Sequence, residues 1–304
     1  MIGLAAVSVL PYWLRQQGRA AVRSDHNRGN SVATSDALDE CGKTNMLKQW
    51  NEMTAADFAG PLDGKVFILP VAATEQHGAH LPTGTDAFIL EGILRAAIQE
   101  PGPVRAIALP LQPIGWSVEH GGLPGTLSLE AELLTAAWAA LGQWIARAGA
   151  RRLLILNSHG GNASVVSTAA MRLRAEHEMF VVKTHWEALA RPNELASAGA
   201  PAQDWHAGWI ETSVMLHLRP DLVVMERAAP GSLRHPEGLP PNGSAPWAWM
   251  TADLSANGVI GDPRIASAAL GAQLVERAVA GLAALLDSMG AAAWPPTAGG
   301  GIER

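Results

Sequence analysis

Six residues in three separated segments have side chains that could bind metal ions and activate water. They are, in chain order, Glu75, His77, Asp86, His159, His206 and Glu211. Imidazoles and carboxylates are the ligands that suit zinc, manganese and iron, and a carboxylate can bridge two ions where an imidazole cannot. The residue types therefore predict a site for two divalent ions, and hydrolysis is the chemistry that such a site serves best.

The first segment places an acid and an imidazole at short range. Glu75 and His77 stand two residues apart, so in an extended chain both side chains point to the same side. The turn at residues 82–85 can fold the chain back and bring the Asp86 carboxylate to the same ions. Taken alone, the segment is equally compatible with a polar loop that ends in a capping aspartate.

The second segment is the sequence NSHGGN at residues 157–162. The absent side chains of Gly160 and Gly161 allow the backbone to approach an ion or a substrate closely, so both glycines are candidate substrate-binding residues beside His159. A single histidine is more often a structural residue. Its position in a glycine-rich turn after an apolar run favours the metal site instead.

The third segment contains the candidate catalytic residues His206 and Glu211. Gly208 is expected to open a helix, with Glu211 in its first turns. Because the unperturbed pKa of histidine is about 6.5, His206 can accept and return a proton near neutral pH, as the leaving nitrogen of an amide requires. Glu211 serves either the metal site or only the helix dipole. The predicted reaction is hydrolysis of a C–N bond by a metal-bound hydroxide.

A further acid and imidazole, Glu119 and His120, precede a turn-rich stretch, and His120 is a candidate for contact with the substrate. Other classes of catalysis find little support in the chain. It has no Gly-X-Ser-X-Gly motif, its one cysteine, Cys41, has no activating neighbours, and no glycine-rich phosphate-binding motif follows the first strand. Neither covalent catalysis nor a nucleotide cofactor is predicted.

Apolar runs alternate with helical patterns along most of the chain. The runs at 66–71, 106–109, 153–156 and 180–182 have the continuous hydrophobicity of strands that are covered on both faces. They predict an α/β fold, a three-layer α/β/α sandwich with a mostly parallel central sheet. Ligand sites in such sheets lie at the carboxyl ends of the strands, where Glu75 and His159 both fall.

Helices are expected between and around these strands. One helical face contains Leu134, Trp138, Leu141 and Ile145 and ends before Gly149. Residues 47, 50 and 53 are apolar at helical spacing and predict a helix from Met46. Asp262, followed by proline, predicts the start of a long C-terminal helix.

Composition excludes several classes of protein. The 304 residues have a net charge of -6 and a pI near 5.9, which gives no basic surface for nucleic acid. A single cysteine cannot form an internal disulfide, so a cytoplasmic protein is expected. The apolar N-terminus lacks the basic residues of an export signal, and no later segment is expected to sustain an apolar stretch long enough to span a membrane, so no membrane partner is expected.

Three regions are predicted from these patterns. Residues 1–45 are polar and aperiodic and are expected to form a disordered or loosely packed extension. Residues 46–288 form the metallohydrolase domain, and 289–304 form a flexible tail.

The motifs around the candidate ligands resemble the creatininase family of amidohydrolases. They are LPVAATEQHG at 69–78, Asp86, LPGT at 123–126, NSHGGN at 157–162, HAGWIETS at 206–213 and GVIGDP at 258–263. The resemblance covers residues 46–288 and implies a three-layer α/β/α fold, two divalent ions, a small-molecule amide substrate and a homo-oligomer, often a hexamer. By motif match it also implies that Glu75 and His159 bind one ion, His77 binds the other, and Asp86 bridges them.

The chain departs from the creatinine-hydrolysing members of that family where the substrate binds. Those members have Tyr and Glu at the positions of Gly160 and Gly161, and their Glu is a metal ligand. The second ion therefore needs another carboxylate here, for which we predict Glu211. They also have a Trp at the position of Ala202. The His-Gly-Gly-Asn motif is similar to branches that hydrolyse formylamino-pyrimidines or trim a redox-cofactor precursor peptide.

The expected substrate is a lactam, cyclic amide or formamide of a small molecule. Its pocket is expected to include His120 and Trp205, with Trp116 and Trp209 as further candidates. Zinc is the expected metal, and manganese or iron would also suit the ligands. Two alternatives stay open: a metallopeptidase that trims a small peptide or cofactor precursor, and a non-catalytic binding protein on the same scaffold.

Overall fold

The computed structural model describes residues 45–101, 103, 105–195 and 203–295. Residues 1–44 of the predicted extension, Ala202, and the predicted tail beyond residue 295 lie outside the described residues. The strands within them are β1 (Leu47–Gln49), β2 (Val66–Val71), β3 (Ala106–Ala108), β4 (Arg152–Asn157) and β5 (Phe180–His185). They form one sheet in the order β1-β3-β2-β4-β5, and every neighbouring pair is parallel.

Helices cover both faces of this sheet. They are α1 (Thr85–Gln99), α2 (Ala131–Arg147), α3 (Ala163–His177), α4 (Trp186–Ala190), α5 (Trp209–Leu218), α6 (Thr251–Leu254) and α7 (Ala268–Ala291). Helices α2 and α3 pack on one face, whereas α1, α5 and α7 pack on the other. The predicted three-layer α/β/α sandwich with a parallel sheet is therefore confirmed.

The central strands are apolar on both faces because each face has its own helical layer. All residues of β2 are buried. Ile68 packs in the core beneath α1, α5 and α7, and its neighbours Phe67 and Leu69 pack in the core that contains Trp138 of α2. This two-sided burial explains why the strands appear in the sequence as unbroken apolar runs.

The two ends of the domain differ from the sequence-based expectation. The helix predicted from Met46 is wrong, because β1 pairs with β3 there and only two short 3-10 turns follow, at Trp50–Glu52 and Ala55–Phe58. Asp262 caps a 3-10 turn, Pro263–Ile265, and α7 begins later with Ser267 as its N-cap. The helix continues to Ala291, past the predicted domain end at 288, and Met289 is buried in the core.

Helix α7 is long and apolar enough to cross a membrane by length and composition alone. The expectation that no later segment reaches that length is thus wrong for this helix. Its buried residues, among them Leu274, Leu282 and Leu286, belong to the same core as strands β2 and β4. The helix is therefore a packed layer of the sandwich.

Candidate metal centre

All six candidate residues lie together at the carboxyl edge of the sheet. Glu75 and His77 follow β2, His159 follows β4, and Asp86 lies in the first turn of α1. His206 precedes α5, and Glu211 lies in the first turn of that helix. Each of the six is at least nine-tenths buried. The sheet thus places residues that are distant in the sequence next to one another in one buried site.

Local backbone contacts explain how these side chains reach the same place. The Glu75 amide donates a hydrogen bond to the Thr83 carbonyl at 2.9 Å, which ties the end of β2 to the turn before α1 and folds Asp86 back. His206 pairs with Ile260 in an antiparallel bridge. The Ala207 amide donates to Glu211 Oε2 at 2.6 Å, which fixes that carboxylate.

The carboxylates and imidazoles form two sets that share Asp86. In one set, His159 Nδ1 lies 3.1 Å from Glu75 Oε1 and 3.7 Å from Asp86 Oδ2. In the other, His77 Nε2 lies 3.5 Å from Asp86 Oδ1 and 3.7 Å from Glu211 Oε1. Within each set the ligand atoms lie within 4.8 Å of one another, close enough to hold one ion. The structure thus brings together all five predicted ligands, and their individual roles stay predictions.

Two of the histidines are oriented by the backbone. His77 Nδ1 lies 3.0 Å from the Glu75 carbonyl oxygen, and His159 Nε2 lies 3.1 Å from the Trp116 carbonyl oxygen. Because a carbonyl only accepts, each of these nitrogens is the N–H donor. In the neutral rings, the lone pairs of His77 Nε2 and His159 Nδ1 then face the carboxylates. A nitrogen lone pair and a carboxylate oxygen repel each other at this range unless a positive charge lies between them.

Buried polar atoms without partners support the same conclusion. Among the described residues, Glu75 Oε2, His77 Nε2 and Asp86 Oδ2 accept or donate no hydrogen bond although all three are buried. Unpaired buried polar atoms are costly, so these atoms fit a site that holds a cation between them. Oxygen and nitrogen donors in these two sets suit zinc, manganese or iron.

The pKa shifts describe a centre that attracts positive charge. Burial opposes protonation of His77, but Glu211 and Asp86 hold its pKa well above the usual value, and Glu75 and Glu119 do so for His159. Burial and the charge of Glu75 raise the pKa of Asp86 to about 7. Without metal, His77 and His159 are thus protonated on the nitrogens that would bind the cations.

His206 stands at the edge of this centre. Its Nε2 donates to the Gln76 carbonyl at 2.7 Å, so the lone pair of Nδ1 lies 3.6 Å from Glu75 Oε1. Burial and the neighbouring His77 lower the pKa of His206, which favours the neutral, proton-accepting ring. Glu75, His77 and His206 also lie close enough to form a ligand set, so the structure allows His206 either role.

A cavity of about 790 Å³ opens above the centre. Its wall includes all four predicted substrate-binding residues, His120, Trp205, Gly160 and Gly161, together with Trp116. Trp209 is wrong as a pocket residue, because it begins α5 and is buried in the core on the α1, α5 and α7 side of the sheet. A smaller polar cavity of about 380 Å³ reaches the same centre, and its lining includes Glu187 and Asp204.

Sequence reasoning missed two parts of the site. The cavity wall includes Trp247, Trp249 and Met250, which belong to a loop rich in proline and glycine before α6. Paired tryptophans in a stretch without helical period were the available signal. Asp204 was also missed; it accepts hydrogen bonds from the amides of Trp209 at 2.7 Å and Ile210 at 3.4 Å and so fixes the start of α5.

The fold and the site define an α/β protein with a buried histidine and carboxylate centre at the carboxyl edge of its sheet. The sequence model of the creatininase family, described as creatinine amidohydrolase, matches residues 51–286. The chain therefore belongs to the creatininase family of hydrolases.

Similar proteins include both peptidases and creatinine hydrolases. The mycofactocin precursor peptide peptidase of Mycolicibacterium smegmatis is 31% identical over 219 residues, which are 71% of this chain and 82% of that protein. The creatinine amidohydrolase of Pseudomonas putida is 31% identical over 251 residues, 77% of this chain and 92% of that protein. A crystal structure of creatinine amidohydrolase has a TM-score of 0.64 at 25% identity and covers 81% of this chain and 98% of its own. Solved creatininases include a manganese form and a mutant of Zn-Zn type.

Proposed function

We propose that this protein is a metal-dependent amidohydrolase that binds two divalent ions and cleaves a C–N amide bond. The observation that carries the proposal is the pair of buried ligand sets that share Asp86 at the floor of an aromatic cavity. Glu75 and His159 would hold one ion, His77 and Glu211 the other, and Asp86 would touch both. Zinc or manganese suits these ligands.

Two bound ions supply activation of a water molecule and polarisation of a carbonyl oxygen. The chain supplies the proton handling. With Nε2 bound to the Gln76 carbonyl, His206 presents Nδ1 towards the centre and the cavity, where it takes a proton and returns it to the leaving nitrogen. Thr251 Oγ1 lies 3.3 Å from His120 Nδ1, and the rings of His120 and His206 are 4.2 Å apart. His120 thus packs against the proton carrier on the wall of the cavity.

A short peptide is the substrate class that the cavity favours. A volume of about 790 Å³ is in the range that encloses a drug-sized molecule and exceeds what a single-ring amide fills. Four tryptophans, 116, 205, 247 and 249, line the cavity and suit apolar or aromatic side chains. The peptidases at 31 to 34% identity support the same class.

A small non-peptide amide is the second candidate. Gly160 and Gly161 leave the backbone bare beside His159, which would let a flat lactam or formamide approach the centre. The similarity to a creatinine amidohydrolase supports this candidate. Both candidates require the same centre and differ only in how much of the cavity the substrate fills.

Amine release tests the proposal and separates the candidates. The full chain, loaded with zinc or manganese, is incubated with short peptides that end in aromatic or apolar residues and with matched lactams and formamides. We expect release from the peptides that stops after chelation and returns with added metal. Equal release by metal-free protein would contradict the amidohydrolase, and release only from the small amides would select the second candidate.

Truncation of the aromatic wall provides the matched test. Trp247→Ala should raise KM for peptides several-fold with a smaller effect on kcat, because the side chain lines the cavity and belongs to neither ligand set. Trp144→Ala is the control, since Trp144 is 66% exposed on α2. Equal effects of the two changes would argue against the aromatic cavity as the substrate site.

A further inference from the structure

We propose that Glu119 is a positioning residue that holds His159 in its metal-facing orientation, and that Gly161 keeps open the space this contact needs. The inference rests on the proposed function, in which His159 is a metal ligand. Neither residue was assigned this role from the sequence. The evidence is the set of contacts on the side of the imidazole that faces away from Glu75.

Glu119 lies against the nitrogen of His159 that does not face the centre. Its Oε1 is 3.3 Å from His159 Nε2, which is also 3.1 Å from the Trp116 carbonyl oxygen and 3.4 Å from Ser117 Oγ. The carbonyl requires an N–H at Nε2, and the carboxylate accepts from the same N–H. The other nitrogen, Nδ1, is then left as a lone pair towards Glu75 and Asp86. A carboxylate in this position fixes the tautomer and makes the ring a stronger ligand.

Gly161 is the residue that makes room for this contact. A Cβ atom at position 161 would collide with Glu119 Oε1 and His159 Nε2 and would lie 2.7 Å from the Trp116 carbonyl oxygen. The backbone of Gly161 is not in the left-handed region, so an alanine would suffer only from these contacts. At Gly160 a Cβ would meet no atom of the described residues within 4 Å. The two glycines thus differ in the effect of an added side chain. At position 161 it would disturb the contact between Glu119 and His159, and at position 160 it would not.

One short turn places two side chains on the centre. Glu119 and His120 belong to the 3-10 turn Val118–His120, and His120 Nε2 lies 3.5 Å from Glu75 Oε1. Glu119 contacts His159 at Nε2 while His120 contacts Glu75 from the cavity, and the ligand atoms of Glu75, Glu119 and His120 lie within 4.8 Å of one another. The Glu119 side chain is 15% exposed on the cavity wall, so burial alone does not fix its position. The turn and the contact with His159 fix it instead.

Metal affinity measured by competition with a chelator tests the proposal directly. Glu119→Ala and Gly161→Ala should each weaken the binding of one of the two zinc ions by about 10- to 100-fold and leave the other unchanged. In the protein loaded with Co²⁺, the visible absorption of one ion should shift in the same two variants. Gly160→Ala and Glu132→Gln, an exposed carboxylate on α2, are the controls for backbone and for charge. Both control variants should bind the two zinc ions with the affinity of the wild type.

A double substitution excludes a merely structural effect. In a His159→Asn background, Glu119→Ala should cause no further loss of affinity, because the residue acts through the imidazole. An equal loss in both backgrounds, or wild-type binding of both ions by Glu119→Ala, would overturn the proposal. If Glu119→Ala does not fold, Glu119→Gln keeps the shape and must still weaken one ion. Failure of the wild type itself to bind two ions would instead contradict the proposed function.

Discussion

Three histidines of the centre each have one ring nitrogen that donates to the backbone. His77, His159 and His206 donate to the carbonyls of Glu75, Trp116 and Gln76. The second nitrogen of each of these rings therefore faces the centre before any ion binds. Preorganisation of this kind lowers the cost of assembling a metal site, because the ligands do not have to be ordered by the metal.

The role of His206 can be separated from that of the ligands by substitution. His206→Asn removes the proton carrier but leaves both sets that share Asp86 intact. We expect both ions to remain bound while kcat falls by about 10² to 10⁴-fold, the usual range for loss of a general acid or base. Metal analysis and steady-state kinetics on the same sample decide the point. Loss of an ion would assign His206 to the ligands.

Glu187 provides a pH test in the metal-free protein. Burial, with the nearby charges of Glu211, Asp204 and Asp86, raises the pKa of Glu187 to about 8. An unfolded glutamate releases its proton near pH 4.3. Between these values the folded state binds one more proton than the unfolded state, so the stability of the wild type falls as the pH rises.

The matched variant is Glu187→Gln, which cannot ionise. Its advantage in free energy of unfolding over the wild type should grow from about pH 5 to pH 8 and then level off. Urea denaturation of chelator-treated protein at several pH values measures it. If the difference in free energy of unfolding between the two proteins does not change with pH, the pKa of the Glu187 carboxyl is not raised.

Residue types and spacing were sufficient to predict which side chains come together at the centre, but not the contacts that support them. Glu75 with His77, and His159 before two glycines, could be recognised because ligand chemistry restricts the residue type. Asp204 and the contact between Glu119 and His159 could not be predicted, since an acid that caps a helix or orients a ring has no fixed spacing from its partner.

At the scale of elements, the site depends on where strands end and helices begin. The ends of β2 and β4 deliver Glu75 and His159, while the first turns of α1 and α5 deliver Asp86 and Glu211. The central strands could be predicted because both faces are buried and their sequences are continuously apolar. Strand β1 could not, because three residues at the sheet edge carry too short a pattern and also match helical spacing.

The packing of α7 on α5 positions Glu211, and two glycines of α7 test it. A Cβ at Gly271 would collide with the Ser213 carbonyl oxygen of α5, whereas a Cβ at Gly290 in the same helix would meet nothing within 4 Å in the part of the chain that the structure describes. We expect Gly271→Ala to lower the free energy of unfolding by about 1 to 3 kcal/mol through overpacking. Gly290→Ala should be neutral or stabilising by up to about 1 kcal/mol. Chemical denaturation of both variants is the measurement, and similar values for the two would contradict this packing.

The loop before α6 shows the limit of prediction at this scale. Trp247 and Trp249 line the cavity. Their segment has no hydrophobic periodicity and forms no strand or helix before Thr251. Loops are positioned by tertiary contacts rather than by local preference, so the cavity wall could be found only in the structure.

At the scale of the whole molecule, metal binding and folding are linked. A ligand that binds only the folded state stabilises it by about 2.7 kcal/mol at 100 times its Kd. We expect chelation to lower the Tm of the wild type and added zinc to restore it. Asp86→Ala, which lacks the shared carboxylate, should show no change in Tm with either treatment. A Tm of the wild type that is insensitive to chelator would contradict the linkage.

Metal stoichiometry of purified variants tests the two-ion centre most directly. The wild type should bind two ions per chain, and His159→Ala and His77→Ala should bind one each. Asp86→Ala should bind none, because both sets include its carboxylate. Two ions retained by Asp86→Ala in a correctly folded protein would contradict the account.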